Sequence, residues 1–258
     1  MEIITSKNNA SVMAAAKLAD KKYREREGKF AFEGIKLFEE AYRAGVRFSR
    51  VFVTEAAYEK YADALSVLED GILTVVSDAV YEKLSFENAP QGVFSVAHYF
   101  SPKKEKASSF VLLLDGVADP GNFGAVLRSA EAFGVDTVYT GKNGADLYNP
   151  KTVRACMGSV FRVDVRRSES IEEEIRALQA DGFRVFATAL DKRSQDIRKV
   201  DFSGKIAFVI GNEGHGVSAE VLEACDGTVI IPMHEGPESL NAAVAASVVM
   251  WEIGRQRL

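Results

Sequence analysis

The sequence predicts an α/β protein whose C-terminal part is built on a parallel sheet, preceded by a smaller α/β domain. Three observations carry this. From Phe110 onward, apolar strand-like runs alternate with helix-like runs, the pattern of βαβ units. Those strands, FVLLLD and KIAFVIG among them, are almost continuously apolar, as strands buried on both faces are. Three Gly- and Asn-rich segments, DPGNFGAVLRSAEAFG (119–134), IGNEGHGVS (210–218) and IIPMHEGPESLNAAVAASVVMWE (230–252), each follow a strand and lead into a helix. Ligands of open α/β sheets bind at such loops, outside the carboxyl ends of the strands. Three of them predict one composite site.

In chain order, the first part reads as a helix over 9–26, strand KFAFEG, and a helix over 35–44 with Gly45 as its C-cap. Strand RVFVT, a helix over 56–68, strand ILTVVS, a short helix and strand GVFSVAHYF follow. The polar, Pro-containing FSPKKEKASS then reads as a linker. The division is therefore a domain over 1–100, a linker over 101–109 and a domain over 110–258. The second domain runs FVLLLD, a helix over 123–133 stopped by Gly134, TVYTG, a helix over 150–158, SVFRVDV, helix IEEEIRALQA and RVFATAL. It closes with KIAFVIG, a short helix over 218–225, GTVIIP and a long helix over 240–255.

Composition narrows the function classes. A charged fraction of 27% and a hydrophobic fraction of 47% describe an ordinary soluble chain, with no apolar run of the roughly 20 residues that span a bilayer. The opening segment has no secretory pattern, so a cytoplasmic setting is expected. Cys156 and Cys225 are far apart, and His98, His215 and His234 form no HxxxH, so neither a disulfide scaffold nor a metal site is expected. Residues 1–53 hold eleven Lys and Arg against seven Asp and Glu, a local +4 that leaves −9 of the chain's net −5 on the remainder. Lys17, Lys21, Lys22, Arg24, Arg26 and Lys29 gather around Tyr23. This is either a patch for phosphates or the solvated face of a helix with Asp20, Glu25 and Glu27 interleaved.

The loops resist the usual phosphate readings. Gly211, Gly214 and Gly216 stand in a GxxGxG order late in the domain, not the GxGxxG of a dinucleotide site, and no GxxxxGK[ST] occurs. More telling, Asn122, Asn212 and Asn241 each stand just after a strand, with Glu213 and Ser239 close by. Asparagine and serine also cap helices, which suits Ser218 and Ser239. Arg128 lies in the mostly apolar AVLRSAEAF, where a cation needs a partner: a ligand, or Glu131 at i+3.

Taken together, PGNFGAVLRSAEAFG, IGNEGHGVS and IPMHEGPESLNAAVAASVVMWE resemble the three motifs of the SpoU (TrmH-type) RNA ribose 2′-O-methyltransferases of the SPOUT superfamily, in the family's order and spacing. FAFEGIKLFEEA resembles the small ribosomal-protein-like substrate-binding domain often fused ahead of them. The resemblance implies a deep trefoil knot in the C-terminal domain, forming a site for S-adenosylmethionine. It places the cofactor against Thr188, Ala189 and Leu190, against Gly211, Asn212 and Gly214, against Ile230, Ile231 and Met233, and against Ser239 and Leu240. It puts Arg128 and Asn122 at the catalytic centre, with Glu213, Ser239 and Asn241 orienting substrate or cofactor. A guanidinium stays protonated, so binding a phosphate and stabilising a 2′-alkoxide suits Arg128 better than acting as a base. The resemblance further implies a homodimer, no metal, and RNA as partner, ribosomal RNA before tRNA. In that setting Lys21, Lys22, Arg24, Arg26 and Lys29 become candidate RNA contacts. The rival readings are a tRNA methyltransferase of the same family and a non-catalytic RNA-binding or ribosome assembly protein; an NAD-dependent enzyme is more remote.

Overall fold

The computed structural model describes residues 3–100, 108–191, 193–234 and 239–257. The chain divides into two compact units, Met1–Ser101 with Tyr148–Phe161, and Pro102–Leu147 with Arg162–Leu258. Most of the expected linker over 101–109 lies outside the described residues. Tyr148–Phe161 is the departure, because it clusters with the first unit instead of the second. The Tyr148 ring stacks on Tyr99 with centroids 3.9 Å apart and also packs on Phe30, so aromatic burial fixes this segment there.

The first unit holds a four-stranded sheet in the order β1-β4-β2-β3, formed by β1 (Lys29–Glu33), β2 (Phe48–Thr54), β3 (Leu73–Val76) and β4 (Val93–His98). β4 runs antiparallel to both β1 and β2, and β2 is parallel to β3. Its helices are α1 (Ala10–Ala16), α2 (Lys21–Glu27), α3 (Ile35–Arg43), α4 (Glu55–Lys60), α5 (Ala62–Leu65), α6 (Asp78–Leu84) and, from the later segment, α8 (Pro150–Ala155). The single helix expected over 9–26 is two. Asp20 adopts an extended conformation between a 3₁₀ turn at Lys17–Ala19 and α2, and Arg24 folds back to donate to the Leu18 and Ala19 carbonyls at 2.8 and 2.6 Å. The carbonyls orphaned by the break are thereby satisfied. The helix expected over 56–68 is likewise interrupted, at Tyr61.

The second unit is a seven-stranded sheet in the order β7-β6-β5-β10-β8-β11-β9, and every pairing in it is parallel. The strands are β5 (Phe110–Asp115), β6 (Thr137–Thr140), β7 (Asp164–Arg167), β8 (Arg184–Thr188), β9 (Gln195–Asp196), β10 (Ile206–Gly211) and β11 (Gly227–Ile230). The helices are α7 (Pro120–Ala132), α9 (Ile171–Ala180), α10 (Ala219–Ala224) and α11 (Ala242–Arg255). α9 and α10 cover one face through Ile171, Ile175 and Val221, which pack with Val111, Val185 and Val209 of the strands. α11 packs on α7 and β10. Two expectations are corrected. In SVFRVDV only the end is strand, since Ser159–Phe161 forms a 3₁₀ turn, and the two-residue β9 has no apolar run to announce it.

The strand order positions the site. Successive strands run outward from β5 through β6 to β7, and the chain then crosses to the other side, where β10 inserts between β5 and β8. The carboxyl ends of β5, β10, β8 and β11 are thus neighbours, and the loops leaving them meet at a reversal of strand order, where α/β sheets place ligands.

Candidate active site

The loop after β5 is set by Asp119, whose Oδ1 accepts from the Asn122 backbone N–H at 2.7 Å and caps α7, with Pro120 in the first helical position. This holds Asn122 on the first turn. The loop after β10 is tighter. Asn212 and Gly216 exchange two backbone hydrogen bonds of 2.9 Å each. A side chain at Gly211 would run into the backbone of Gly216 and Val217, so the close approach requires glycine. The Asn212 side chain serves the loop itself: Oδ1 accepts from Gly214 N–H at 2.8 Å and His215 N–H at 3.2 Å, and Nδ2 donates to the Gly116 carbonyl at 2.8 Å. Ser218 N–H donates to the Asp115 carboxylate at 2.8 Å, tying the loop's exit to the end of β5.

The loop after β11 closes the group. Asn241 caps α11, its Oδ1 accepting from Ala243 and Val244 N–H at 3.0 and 3.3 Å. Its Nδ2 donates to Asn122 Oδ1 at 2.9 Å, and Asn122 Nδ2 donates in turn to Glu213 Oε1 at 2.8 Å. One residue from each loop therefore joins a single chain, Asn241 to Asn122 to Glu213.

Beside it lies a cavity of about 560 Å³, and all eleven residues expected to hold the cofactor line it. Leu190 and Met233, 70% and 38% exposed, present apolar side chains there, while Gly211, Gly214 and Gly216 present backbone. Asp191 and Glu213 line it too, and among the described residues no Lys or Arg does. Such a lining suits a cationic sulfonium with an adenine covered by aliphatic groups.

Arg128 stands elsewhere. It is exposed on α7, does not line the cavity, and makes no hydrogen bond or ion pair among the described residues. The alternative pairing with Glu131 does not form, because Glu131 holds Arg162 instead. Solvent, not a side chain, accommodates the cation. Of the five candidate RNA contacts, Lys21, Lys22 and Arg26 are exposed and Lys29 is half-buried at the start of β1. Arg24 is a correction. It is 2% exposed and spent on the Leu18 and Ala19 carbonyls, so it cannot meet a phosphate.

Burial, aided by Asp226 and Asp115, pushes the Cys225 thiol up to about 12, which leaves it inert. No three His, Cys, Asp or Glu side chains among the described residues stand together as ligands. No helix among them is long and apolar enough to cross a membrane.

Comparison with known proteins agrees with this geometry. The model of the SpoU rRNA methylase family matches residues 109–251, and that of the MRM3-like substrate binding domain matches residues 9–95. The 23S rRNA (guanosine(2553)-2′-O)-methyltransferase RlmP of Bacillus subtilis is 35% identical over 254 residues, covering 98% of this chain and 99% of that protein. Among solved structures, the AdoMet-bound rRNA methyltransferase from Sinorhizobium meliloti superposes with a TM-score of 0.86 at 29% identity, over 100% of this chain and 98% of that one. The SpoU methyltransferase AviRb from Streptomyces viridochromogenes, in complex with AdoMet, gives 0.85 at 27% identity, over 97% and 98%. The chain belongs to the SpoU rRNA methylase family, and it is an S-adenosylmethionine-dependent RNA ribose 2′-O-methyltransferase built on an α/β SPOUT domain.

Proposed function

We propose that the chain methylates a ribose 2′-hydroxyl in large-subunit ribosomal RNA, working as a homodimer whose C-terminal domain is knotted. The hydrogen-bonded chain Asn241–Asn122–Glu213 at the edge of a cavity lined by glycine backbone and aliphatic side chains carries this reading. The cofactor supplies an electrophilic methyl on a sulfonium, leaving as a neutral thioether. What the protein adds is position and charge placement. Asn122 is held from both sides, by the Asp119 cap and by its two side-chain partners, so its amide is fixed before the substrate arrives. Glu213 and Asn241 orient the reacting groups, and Ser239 hydrogen-bonds next to them.

Arg128, unpaired among the described residues on the exposed side of α7, binds the phosphate beside the target ribose and stabilises the developing alkoxide in the partner subunit's site. The dimer reading is supported by an apolar groove of about 490 Å³ between α7 and α11, where Val244 and Trp251 are 49% and 53% exposed. The knot is supported by the insertion of β10 between β5 and β8 and by the return of α11 onto α7 and β10.

Ribosomal RNA is preferred because the full-length Bacillus subtilis relative is named for guanosine 2553 of 23S rRNA, which makes that nucleotide the first to map. The test is transfer of a labelled methyl group to 23S rRNA, 16S rRNA and tRNA transcripts, with the modified ribose then located. Methylation of a single 23S position is expected. Methylation of tRNA alone would sink the substrate assignment.

A further inference from the structure

A second cleft, of about 370 Å³, lies in the first unit where α1, the 3₁₀ turn and α2 meet the sheet. One face of the sheet carries Ala31, Phe52, Phe94 and Val96, covered by Val12, Ala15 and Leu18. Beyond that apolar cover the same face turns basic. Lys29 pairs with His98 across β1 and β4, two residues on from Ala31 and Val96, and so shares their face. Arg50 reaches this face through an irregularity. Phe48 opposes Ala97, yet Arg50 opposes Val96, so Ser49 is an extra residue in β2. Regular alternation from Phe48 would place Arg50 on the opposite face; the bulge re-aims it.

From the helical side come Lys17 and Arg26, 5.5 and 4.8 Å from the centroid of the Tyr23 ring, which orients both. Glu27 also lines the cleft and pairs with Arg26 at 2.8 Å, leaving the four cations three charges in excess. Arg50 spends one N–H on Thr74 at 3.3 Å and keeps its others. Burial lowers the pKa of His98, and the Arg47 and Lys29 charges lower it further, in keeping with a positive field at this edge.

We propose that this cleft is a phosphate seat for the substrate RNA, with Lys29 and Arg50 on its sheet side and Lys17 and Arg26 on its helical side, holding the sugar–phosphate backbone of one or two nucleotides. The inference rests on the RNA-methyltransferase reading above. A chain of net charge −5 that gathers these cations around one concavity complements a polyanion, and the apolar floor suits a ribose. Tyr23 positions the cations and is not a stacking platform, since both lie over its ring.

The test compares the full chain with Lys29→Gln/Arg50→Gln, and with Arg43→Gln/Lys60→Gln as a charge-matched control outside the cleft. A 23S rRNA transcript is the probe, with filter binding across a KCl series. Loss of two phosphate contacts lowers the slope of log K against log salt by about 1.5 and weakens binding about tenfold at 0.15 M. Methyl transfer by the cleft variant should show a raised KM for RNA with kcat retained. S-adenosylmethionine affinity and melting temperature, measured on each variant, should match the unmodified chain, and the control should keep its salt slope. Unchanged affinity and slope in the cleft variant overturn the proposal. If the unmodified chain methylates no 23S position, the substrate assignment fails on its own, and the same salt series on 16S rRNA and tRNA transcripts still decides the cleft.

Discussion

The two concavities of this molecule are built from opposite materials. The cavity at the strand ends of the second unit is lined by backbone, small residues and aliphatic side chains, and among the described residues by two carboxylates and no Lys or Arg. The cleft of the first unit is walled by four long cationic side chains over an apolar floor. The first kind of site recognises shape and close backbone approach, so it fails when a single atom is added. The second recognises charge at a distance and is shared among flexible groups, so it weakens by degrees and with salt. Substitutions should therefore produce steep effects in one and graded effects in the other.

The steepest expected effect is at Gly211. Any side chain there meets the backbone of Gly216 and Val217, not a flexible group, so the loop must open. Gly211→Ala should cost about 1–3 kcal/mol of stability by overpacking and lower S-adenosylmethionine affinity at least a hundredfold. Thermal unfolding and calorimetric titration read the two effects. Retained affinity would mean that the cavity tolerates a different loop, and that its contrast with the basic cleft is overstated.

Next in size is the proposed catalytic edge. Arg128→Ala should lower turnover about 10²–10³-fold while cofactor affinity changes less than threefold, because the residue does not line its own chain's cavity. Mixing Arg128→Ala with a second inactive variant, Gly211→Ala, offers a sharper form of the test. If Arg128 serves the partner's site, mixed dimers regain part of the activity that neither variant has alone. Absence of any recovery in verified mixed dimers would place Arg128 in its own chain's site. Asn122→Ala should sit below Arg128→Ala, since it removes the link between Asn241 and Glu213 but no charge.

How far each region was legible follows from the same contrast. The cavity at the strand ends could be read from the sequence because its residues are there for reasons local in the chain: a glycine where backbones touch, an asparagine where a helix begins. The three loops also carry the family's order, and all eleven expected contacts line one cavity. The basic region could be read only in part. Charge composition does not say which way a side chain turns, and Arg24 turned inward once Asp20 broke the helix. Arg50 went unnoticed because its place in the cleft depends on a bulge opposite β4, a long-range feature with no local signal. The same limit hid β9 and assigned Tyr148–Phe161 to the wrong unit, since its anchors, Phe30 and Tyr99, are remote in sequence.

Arg24→Met separates structural from RNA-facing charge within that region. It keeps the buried volume but leaves the Leu18 and Ala19 carbonyls without their donor, a loss of about 2–3 kcal/mol. Denaturant titration should show the drop, while the salt slope of RNA binding stays that of the unmodified chain. A reduced slope at full occupancy of the folded state would return Arg24 to the RNA contacts.

The smallest expected effect is at Lys21 and Lys22, on the outer side of α2. Lys21 is paired to Glu25 at 3.7 Å with both side chains about half exposed, an arrangement worth little in water. Neither lysine lines the cleft. Lys21→Gln/Lys22→Gln removes the same two charges as the cleft double variant, yet the salt slope should fall by less than about half a unit, and affinity by less than threefold, because screened charges outside a concavity make few fixed phosphate contacts. Equal slopes for the two double variants would mean that the RNA follows the whole basic face of the first unit, with the cleft as one part of it. A clear gap between them would locate the docking charge in the concavity between α1, α2 and the sheet.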